Sequence, residues 1–171
     1  MITLPQGNKI TQQEFVELVE SNKRLIYKIC HVYAHTAEDK EDLYQEILVQ
    51  LWSSLPAFRH ESKFTTWMYR VALNTAIAGL RKRKTTPLRT ELDEKHIAPA
   101  EPVYMEGEPK DPVAELYAAI QLLTPIEKAI VTLYLEDKSY DEMEDVLGIA
   151  GSTLRVKMTR IKDKLQKLTS L

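Results

Sequence analysis

Apolar residues recur at intervals of three and four positions along most of the chain, which is the spacing of amphipathic helices. In the first half of the chain this pattern predicts three helices. Thr36 offers an amino-terminal cap for the second of them, and Pro56 ends it. The predicted buried stripes are Phe15, Leu18, Val19, Leu25, Ile26, Ile29, Cys30 and Tyr33 in the first helix; Leu43, Ile47, Leu51, Trp52 and Leu55 in the second; and Tyr69, Ala72, Leu73, Ala76 and Leu80 in the third, which runs from about Thr66 to Arg83.

Helix-capping patterns predict four further helices in the last third of the chain. Asp111 and Thr124 each precede a proline at the first helical position. Ser139 begins a capping box that opens a short helix, and Gly148 supplies the left-handed residue of a tight turn. One more helix begins near Ser152 and continues to the end of the chain.

Prolines separate the two sets of helices. Five of the eight prolines lie between residues 85 and 112, in a stretch without a sustained helical pattern, which predicts an extended linker. No part of the sequence alternates in the way of a β-strand. We therefore expect an all-α protein with a helical module at residues 1–90, a linker at 91–112 and a second helical module at 113–171.

The last two predicted helices form a helix-turn-helix pattern whose second helix is basic. From Ser152 to Leu171 there are six Lys or Arg residues and one acid, Asp163. Arginine can bond bidentately to guanine, a small apolar side chain can contact a thymine methyl, and lysine can bind phosphate. The alternative is a solvated basic face on a terminal helix. The predicted buried stripe of this helix is Leu154, Met158, Ile161, Leu165 and Leu168. The residues predicted to face outwards are Arg155, Val156, Thr159 and Arg160, with Lys157, Lys162 and Lys164 on the flanks.

The third helix carries a second group of residues suited to nucleic acid. Opposite its buried stripe lie Trp67, Arg70, Asn74, Ala78 and Arg81, and the helix ends in Arg81, Lys82, Arg83 and Lys84. From Lys63 to Lys84 there are six basic residues and no acid. An aromatic ring with cations and an amide is suited to stacking on and reading an unpaired base, so we expect single-stranded or melting DNA here. The alternative is that Trp67 packs under the preceding loop and that the basic run complements the helix carboxy terminus.

The second helix has the opposite charge. Between Glu38 and Glu46 there are five acids and one lysine, and Asp42, Gln45, Glu46 and Val49 share one outward stripe. An acidic face repels phosphate, so this stripe is more suited to a basic protein surface than to DNA. The alternative is an ordinary solvated face.

The charge and composition of the chain bear on its possible partners and on its compartment. The net charge of −2 argues against a nucleic-acid partner if taken alone, but residues 1–90 carry +4, residues 91–112 carry −5 and residues 113–171 carry −1. The single cysteine, Cys30, excludes an internal disulfide and fits a reducing compartment. The sequence shows neither a signal-peptide pattern nor about 18 consecutive apolar residues, so we expect a cytoplasmic protein that is neither exported nor membrane-spanning.

Taken together, these motifs resemble those of bacterial RNA polymerase sigma factors. The plan of two modules without a third resembles the extracytoplasmic-function (ECF) subfamily of the sigma-70 family, which carries regions 2 and 4. The motifs that carry the resemblance are Asp42-Leu-Tyr-Gln-Glu46 with Leu51-Trp52, Phe64-Thr-Thr-Trp67-Met-Tyr-Arg70-Val-Ala-Leu-Asn74, Arg81-Lys-Arg-Lys84, Leu123-Thr-Pro-Ile-Glu127, Ser139-Tyr-Asp-Glu142, Leu147-Gly-Ile149 and Thr153-Leu-Arg155 through Arg160.

The resemblance implies three binding roles. The acidic stripe on the second helix would dock on the clamp helices of the beta-prime subunit of core RNA polymerase, and the second module would meet the beta flap. The loop from Phe58 to Thr65 would lie near a captured base of the minus-ten element. The residues implied are Asp42, Gln45, Glu46 and Val49 for polymerase binding; Trp67, Arg70, Asn74, Arg81, Lys82, Arg83 and Lys84 for the minus-ten element; and Ser152, Thr153, Arg155, Val156, Lys157 and Arg160 for the minus-thirty-five element.

The resemblance also implies promoter DNA and an anti-sigma factor as partners, and a linker that passes through the polymerase towards the RNA exit path. The acidic stretch from Glu91 to Asp111 suits a channel built for nucleic acid. Two residues depart from the usual pattern of the family. Glu144 stands where a small residue is common, and Ser152 stands where many members have glycine.

Two other classes of protein are alternatives to a sigma factor. A stand-alone helix-turn-helix regulator that binds duplex operator DNA accounts for residues 113–171, but not for the acidic stripe or the third helix. An enzyme is the second, but the sequence has no Gly-rich phosphate loop, Gly-x-Ser-x-Gly or His-Glu-x-x-His motif. His31 and His35, four apart beside Cys30, could share a metal, although no downstream cluster completes a site. We expect no cofactor, no metal and no catalytic activity.

Overall fold

The computed structural model of the protein describes residues 10–59, 61–85 (side chains as far as Lys82) and 111–169. These residues form helices and connecting turns, and the described ranges contain no strand, so the all-α prediction is confirmed. The chain divides into two compact units, with the boundary between Ala76 and Ile77. Nearly all of the predicted linker lies outside the described residues, and the module boundaries near residues 90 and 113 stay predictions.

The first unit begins with two packed, capped helices, α1 (Gln12–Tyr33) and α2 (Ala37–Ser54). Thr11 and Glu14 form a capping box at the start of α1, and the Thr36 hydroxyl accepts a hydrogen bond from the Asp39 N–H at 3.0 Å at the start of α2. A 3-10 turn at Leu55–Ala57 follows α2. All eight residues predicted for the buried stripe of α1 are buried.

The predicted buried stripe of α2 is wrong at one position. Leu43, Ile47, Leu51 and Leu55 are buried, whereas Trp52 is 47% exposed. One residue after Leu51 is a rotation of about 100° around the helix, which places Trp52 at the border of the buried stripe. Its ring meets the Phe15 ring of α1 edge-on at 5.0 Å between centroids.

The third helix, α3 (Phe64–Thr85), has a wider buried face than the spacing predicts. Tyr69, Ala72, Leu73 and Ala76 are buried as expected, and Met68, which lies just outside the predicted stripe on the side of Ala72, is buried completely. Leu80 is only partly buried.

The second unit contains the last residues of α3, 77–85, and four complete helices, α4 (Pro112–Gln121), α5 (Pro125–Leu135), α6 (Tyr140–Leu147) and α7 (Gly151–Thr169). Side-chain caps from Asp111, Thr124 and Ser139 begin the first three of these helices, as the sequence predicts. Gly148 ends α6 in the left-handed conformation, with φ of 66°. Because α7 packs against α4, α5 and α6, it is the central helix of the unit.

The buried stripe of α7 departs from prediction at its end. Leu154, Met158, Ile161 and Leu165 are buried, but Leu168 is 40% exposed and the next residue, Thr169, is buried instead. The Thr169 hydroxyl donates a hydrogen bond to the Leu165 carbonyl oxygen at 2.9 Å. This bond satisfies the polar group, so threonine can take the buried position.

Candidate nucleic-acid interface

The helix-turn-helix of the second unit presents its predicted residues outwards. The α7 reading face comprises Ser152, Thr153, Arg155, Val156, Lys157 and Arg160. Five of these six are exposed, and Lys157 is partly exposed. Since α7 is anchored by its buried stripe to three other helices, this face has a fixed orientation within the second unit. Cations, hydroxyls and a small apolar group on one face of such a helix can contact phosphates and base edges in a major groove.

The first turn of α7 is capped by a side chain from the preceding helix. Glu144 Oε2 accepts a hydrogen bond from the Gly151 N–H at 2.8 Å. The Arg155 guanidinium carbon lies 4.9 Å from the centre of the Tyr140 ring, which is a cation–π arrangement. In the sequence, Glu144 is notable only as a departure from the family pattern, and a capping role is not predicted for it. Its spacing of seven residues from a glycine at a helix start is the one signal that indicates this contact.

Two of the flanking lysines of α7 are engaged within the protein. Lys162 Nζ donates a hydrogen bond to the Tyr134 hydroxyl at 2.9 Å and lies 4.4 Å from the centre of its ring. Lys164 Nζ forms an ion pair with Glu127 Oε2 at 3.1 Å. Both contacts join α7 to α5, so these lysines stabilise the position of the helix.

The α3 outer face comprises Arg70, Asn74, Ala78, Arg81 and Lys82. All five residues are exposed, as the spacing predicts. No acid lies on α3, so cations and an amide face outwards without a neighbouring carboxylate on the same helix. The side chains of Arg83 and Lys84 lie outside the described residues.

The predicted exposure of Trp67 is wrong. Trp67 is 8% exposed, because the segment before α3 returns over the first turn of the helix. Its ring lies 5.1 Å from the Phe58 ring and 5.3 Å from the Phe64 ring, centroid to centroid, and the two phenylalanine rings lie 5.7 Å apart. These three residues form the aromatic cluster. It joins Phe58 to the first turn of α3, and between the two phenylalanines the described residues Arg59, Glu61 and Lys63 are exposed.

The acidic stripe of α2, formed by Asp42, Gln45, Glu46 and Val49, faces outwards as predicted. All four residues are exposed, and the exposed fraction of Val49 is 62%. Trp52 lies three residues after Val49 and is half-exposed, so the acidic stripe ends in two exposed apolar side chains. The spacing of apolar residues predicts Trp52 in the core, so the sequence does not indicate it as a surface residue.

The histidines considered as metal ligands lie near the end of α1. Cys30 is buried, and burial raises the pKa of its thiol to about 11. His31 Nδ1 lies 3.2 Å from Lys40 Nζ, and desolvation and the Lys40 charge lower the pKa of His31. Among the residues that the structure describes, no group of three His, Cys, Asp or Glu side chains could hold a metal ion.

Two models of one protein family match the chain. Sigma-70 region 2 matches residues 18–86, and sigma-70 region 4 matches residues 114–165. The first range includes the acidic stripe, the aromatic cluster and the α3 outer face. The second includes the helix-turn-helix and the α7 reading face.

The chain belongs to the sigma-70 family.

Its relatives are RNA polymerase sigma factors, several of them of the ECF subfamily. The chain is 27% identical over 178 residues to the ECF RNA polymerase sigma factor SigW of Bacillus subtilis, which covers 96% of this chain and 93% of SigW. It is 26% identical over 186 residues to the RNA polymerase sigma-H factor of Pseudomonas aeruginosa, with 92% and 95% covered. Against the ECF sigma factor SigG of Mycobacterium tuberculosis it is 26% identical and spans 48% of that protein's length.

Solved structures show the same fold. The sigma factor RpoE of Bartonella quintana, solved in complex with the anti-sigma factor NepR, matches with a TM-score of 0.68 and 18% identity over 93% of this chain and 98% of that one. CnrH, solved in complex with the cytosolic domain of CnrY, matches with a TM-score of 0.64 and 19% identity over 92% and 88%.

As a sigma factor, the chain serves promoter-directed transcription initiation. A stand-alone helix-turn-helix regulator leaves the match to region 2 without an explanation. Within the described residues, no helix of this sigma factor is long and apolar enough to cross a membrane.

Proposed function

We propose that this sigma factor docks on core RNA polymerase through the acidic stripe of α2 and contacts two promoter elements through α3 and α7. The single observation that carries this proposal is the exposure of three chemically different surfaces on one chain. The acidic stripe suits a basic protein surface, whereas the two cationic faces suit nucleic acid. A duplex-binding regulator needs only the last of the three.

The docking surface on core polymerase consists of Asp42, Gln45 and Glu46, with Val49 at its end. The beta-prime clamp helices are its partner, and the second unit meets the beta flap. Carboxylates orient the sigma factor on a basic partner surface and speed up their association. An apolar side chain that loses its water at the end of the stripe adds to the binding energy. Trp52 extends this apolar end, since its ring is half-exposed beside the same stripe.

The minus-ten element is opened and read at α3. Arg70 and Asn74 present a cation and an amide to the strand, and the basic run from Arg81 to Lys84 binds phosphates beside it. Trp67 does not stack on a base, because its ring is buried. Its role is to support the loop from Phe58 to Thr65, which lies near a captured base, through its ring contacts with Phe58 and Phe64.

The minus-thirty-five element is read in the major groove by the α7 reading face. Arg155 and Arg160 contact base edges, Val156 contacts a thymine methyl, and Ser152, Thr153 and Lys157 fix the helix on the phosphates. The protein has no catalytic activity of its own and acts in the cytoplasm. An anti-sigma factor restrains it, as the complexes of RpoE with NepR and of CnrH with CnrY suggest.

The decisive test is association of the purified chain with core RNA polymerase. The wild-type chain should co-elute with core polymerase and start transcription from promoter fragments, and a variant with Asp42, Gln45 and Glu46 changed to alanine should lose both activities. Glu41→Ala is the matched control, because Glu41 is an exposed acid on α2 outside the stripe. A chain that never associates with core polymerase and binds duplex DNA alone would refute the proposal.

A further inference from the structure

The recognition helix begins differently from the other capped helices of the second unit. The α4, α5 and α6 helices are each capped by the side chain of the residue directly before them. The residue before α7 is Ala150, which has no side-chain acceptor. The first backbone N–H groups of a helix lack partners within the helix, and here Glu144 of α6 supplies one from seven residues upstream, at 2.8 Å.

Gly151 leaves the space in which this contact forms. A Cβ atom at residue 151 would lie 3.3 Å from Glu144 Oε2, 3.6 Å from Arg155 Nη1 and 3.9 Å from Tyr140 Cβ. Positive φ is not the reason for this glycine, since only Gly148 among the described glycines has one. Gly151 is buried, so a Cβ there would crowd the Glu144 carboxylate, which would have to shift by about a few tenths of an ångström. Glycine at this position therefore serves the approach of three side chains.

The guanidinium of Arg155 is held at the same point. The guanidinium carbon lies 4.9 Å from the centre of the Tyr140 ring. Arg155 Nη1 and Glu144 Oε2 both lie near the position that a Cβ at residue 151 would take, at 3.6 Å and 3.3 Å from it. Arg155 itself remains exposed. A long side chain that is already ordered loses less conformational freedom when it contacts a base, which strengthens and sharpens recognition.

We propose that Glu144 and Gly151 act together as positioning residues for promoter recognition: the carboxylate caps α7, and the space at the glycine lets Arg155 lie on Tyr140, ready to contact a base. The inference rests on the proposed function, in which Arg155 reads the minus-thirty-five element. Neither Glu144 nor Gly151 touches DNA. The pair compensates for the departure of Glu144 from the small residue common in the family.

The test measures base preference with the complete holoenzyme. A promoter that the wild type uses is randomised across the minus-thirty-five element. The templates that core RNA polymerase with the full chain transcribes from this pool are then sequenced. Glu144→Ala should reduce the preference by about threefold to tenfold, the effect expected for one lost hydrogen bond. The reduction should fall on the base position at which Arg155→Ala also reduces it. Glu144→Gln, which keeps an acceptor oxygen for the Gly151 N–H, should retain the preference within about twofold.

A double-substitution cycle tests the interdependence of the two residues. Gly151→Ala should lower the preference in the wild-type background, because its Cβ crowds the carboxylate and shifts it from its place beside the Gly151 N–H. In the Glu144→Ala background the same change should cause no further loss, since the nearest obstructing atom is gone. Asp141→Ala, which removes another exposed acid from α6, is the matched control and should leave the preference unchanged.

A spectroscopic measurement on the free full chain checks the geometry without DNA. The Tyr140 ring should shift the Arg155 side-chain proton resonances upfield in the wild type and in Glu144→Gln, and this shift should be lost in Glu144→Ala. Circular dichroism verifies that each variant is folded.

Two results separate this inference from the function on which it rests. If Arg155→Ala abolishes a base preference that Glu144→Ala leaves intact, the positioning role is refuted and the proposed function stands. If the wild-type holoenzyme shows no upstream preference, or Arg155→Ala leaves it unchanged, the proposed reading of the minus-thirty-five element fails, and the inference fails with it.

Discussion

The helices α3 and α7 carry the two cationic faces of this sigma factor, but their first turns are built in opposite ways. At α3 the preceding segment covers the helix start, and Trp67 is buried against Phe58 and Phe64. At α7 Ser152 and Thr153 of the first turn are exposed, and the Glu144 carboxylate caps the helix start beside Gly151. Similar outward faces therefore depend on different supports.

Because of this difference, we expect substitutions at the start of α3 to change protein stability and substitutions on the α7 reading face to change DNA recognition. A loop held by an aromatic cluster presents its residues only while the cluster is intact, so substitutions in the cluster should destabilise the first unit. The α7 reading face is supported from below by the core of the second unit. Substitutions on that face should change DNA recognition and leave stability almost unchanged.

The largest effect is expected for Trp67→Ala. Removing a buried tryptophan should lower the free energy of unfolding by about 3–5 kcal/mol. Trp52→Ala is the matched control and should cost about 1 kcal/mol, because that ring is 47% exposed and has an edge contact with Phe15. Urea unfolding followed by circular dichroism measures both, since each variant removes one of the two tryptophans on which fluorescence depends. Equal costs for the two rings would contradict the burial of Trp67.

Arg155→Ala should have the next largest effect, on recognition. Discrimination among upstream elements should fall by about 1–3 kcal/mol if the guanidinium contacts a base edge. The free energy of unfolding should fall by no more than about 1 kcal/mol, because the side chain is exposed and loses only its cation–π contact with Tyr140 among the contacts described above. Competition between promoter fragments for the holoenzyme measures the first quantity. A uniform loss of binding to all sequences would instead assign Arg155 to a phosphate.

The ion pair that joins α5 to α7 should give a smaller, pH-dependent effect. Burial of the Glu127 carboxyl raises its pKa, but hydrogen bonds from the Thr124 N–H and from Lys164 lower it by more. The net pKa of Glu127 is therefore below the ordinary value of a glutamate. The folded protein then binds this proton more weakly than the unfolded chain. The stabilisation is therefore complete above the ordinary pKa and disappears as the pH falls through the lowered one.

Glu127→Gln isolates that contribution, because glutamine can keep the capping contact with Thr124. At neutral pH the variant should be less stable than the wild type by about 0.5–1 kcal/mol, as expected for a partly exposed pair. Urea unfolding at a series of pH values should show the difference shrinking in acid. A difference that grows as the pH falls would have the wrong sign for this account.

The smallest effect should distinguish two lysines of α7. Lys157→Ala should reduce the slope of log affinity against log salt by about 1, if its ammonium contacts a phosphate. Lys162→Ala should leave the slope unchanged, because its ammonium is bonded to the Tyr134 hydroxyl at 2.9 Å. Promoter binding by the holoenzyme over a range of salt concentrations provides the comparison. Identical slopes for the two variants would remove the distinction.

Local chemistry made much of the fold predictable from sequence. Capping side chains at Thr36, Asp111, Thr124 and Ser139 fix helix starts within a few residues, and Gly148 fixes a turn. The spacing of apolar residues identified the helices and most of their buried faces. These signals depend on neighbours within about one helical turn, and such neighbours are visible in sequence.

The misses share a physical cause. Helical spacing considers only residues of the same helix. It therefore predicts an exposed Trp67, although Phe58 from the preceding segment covers that face of α3. It also gave Trp52 and Leu168 to the core, although neither side chain is buried in the assembled units. The bond between Glu144 and Gly151 joins two helices across a turn, and helical periodicity cannot indicate it.

Site-specific photocrosslinking tests the central claim most directly, since that claim assigns α3 and α7 to different promoter elements in one complex. A photoreactive residue is placed at Asn74 in one variant and at Val156 in another, each assembled with core RNA polymerase on promoter DNA. The account predicts crosslinks from residue 74 to the melted minus-ten strand and from residue 156 to the minus-thirty-five duplex, both dependent on core polymerase. Crosslinks from both positions to the same element, or crosslinks that form equally well without polymerase, would contradict it.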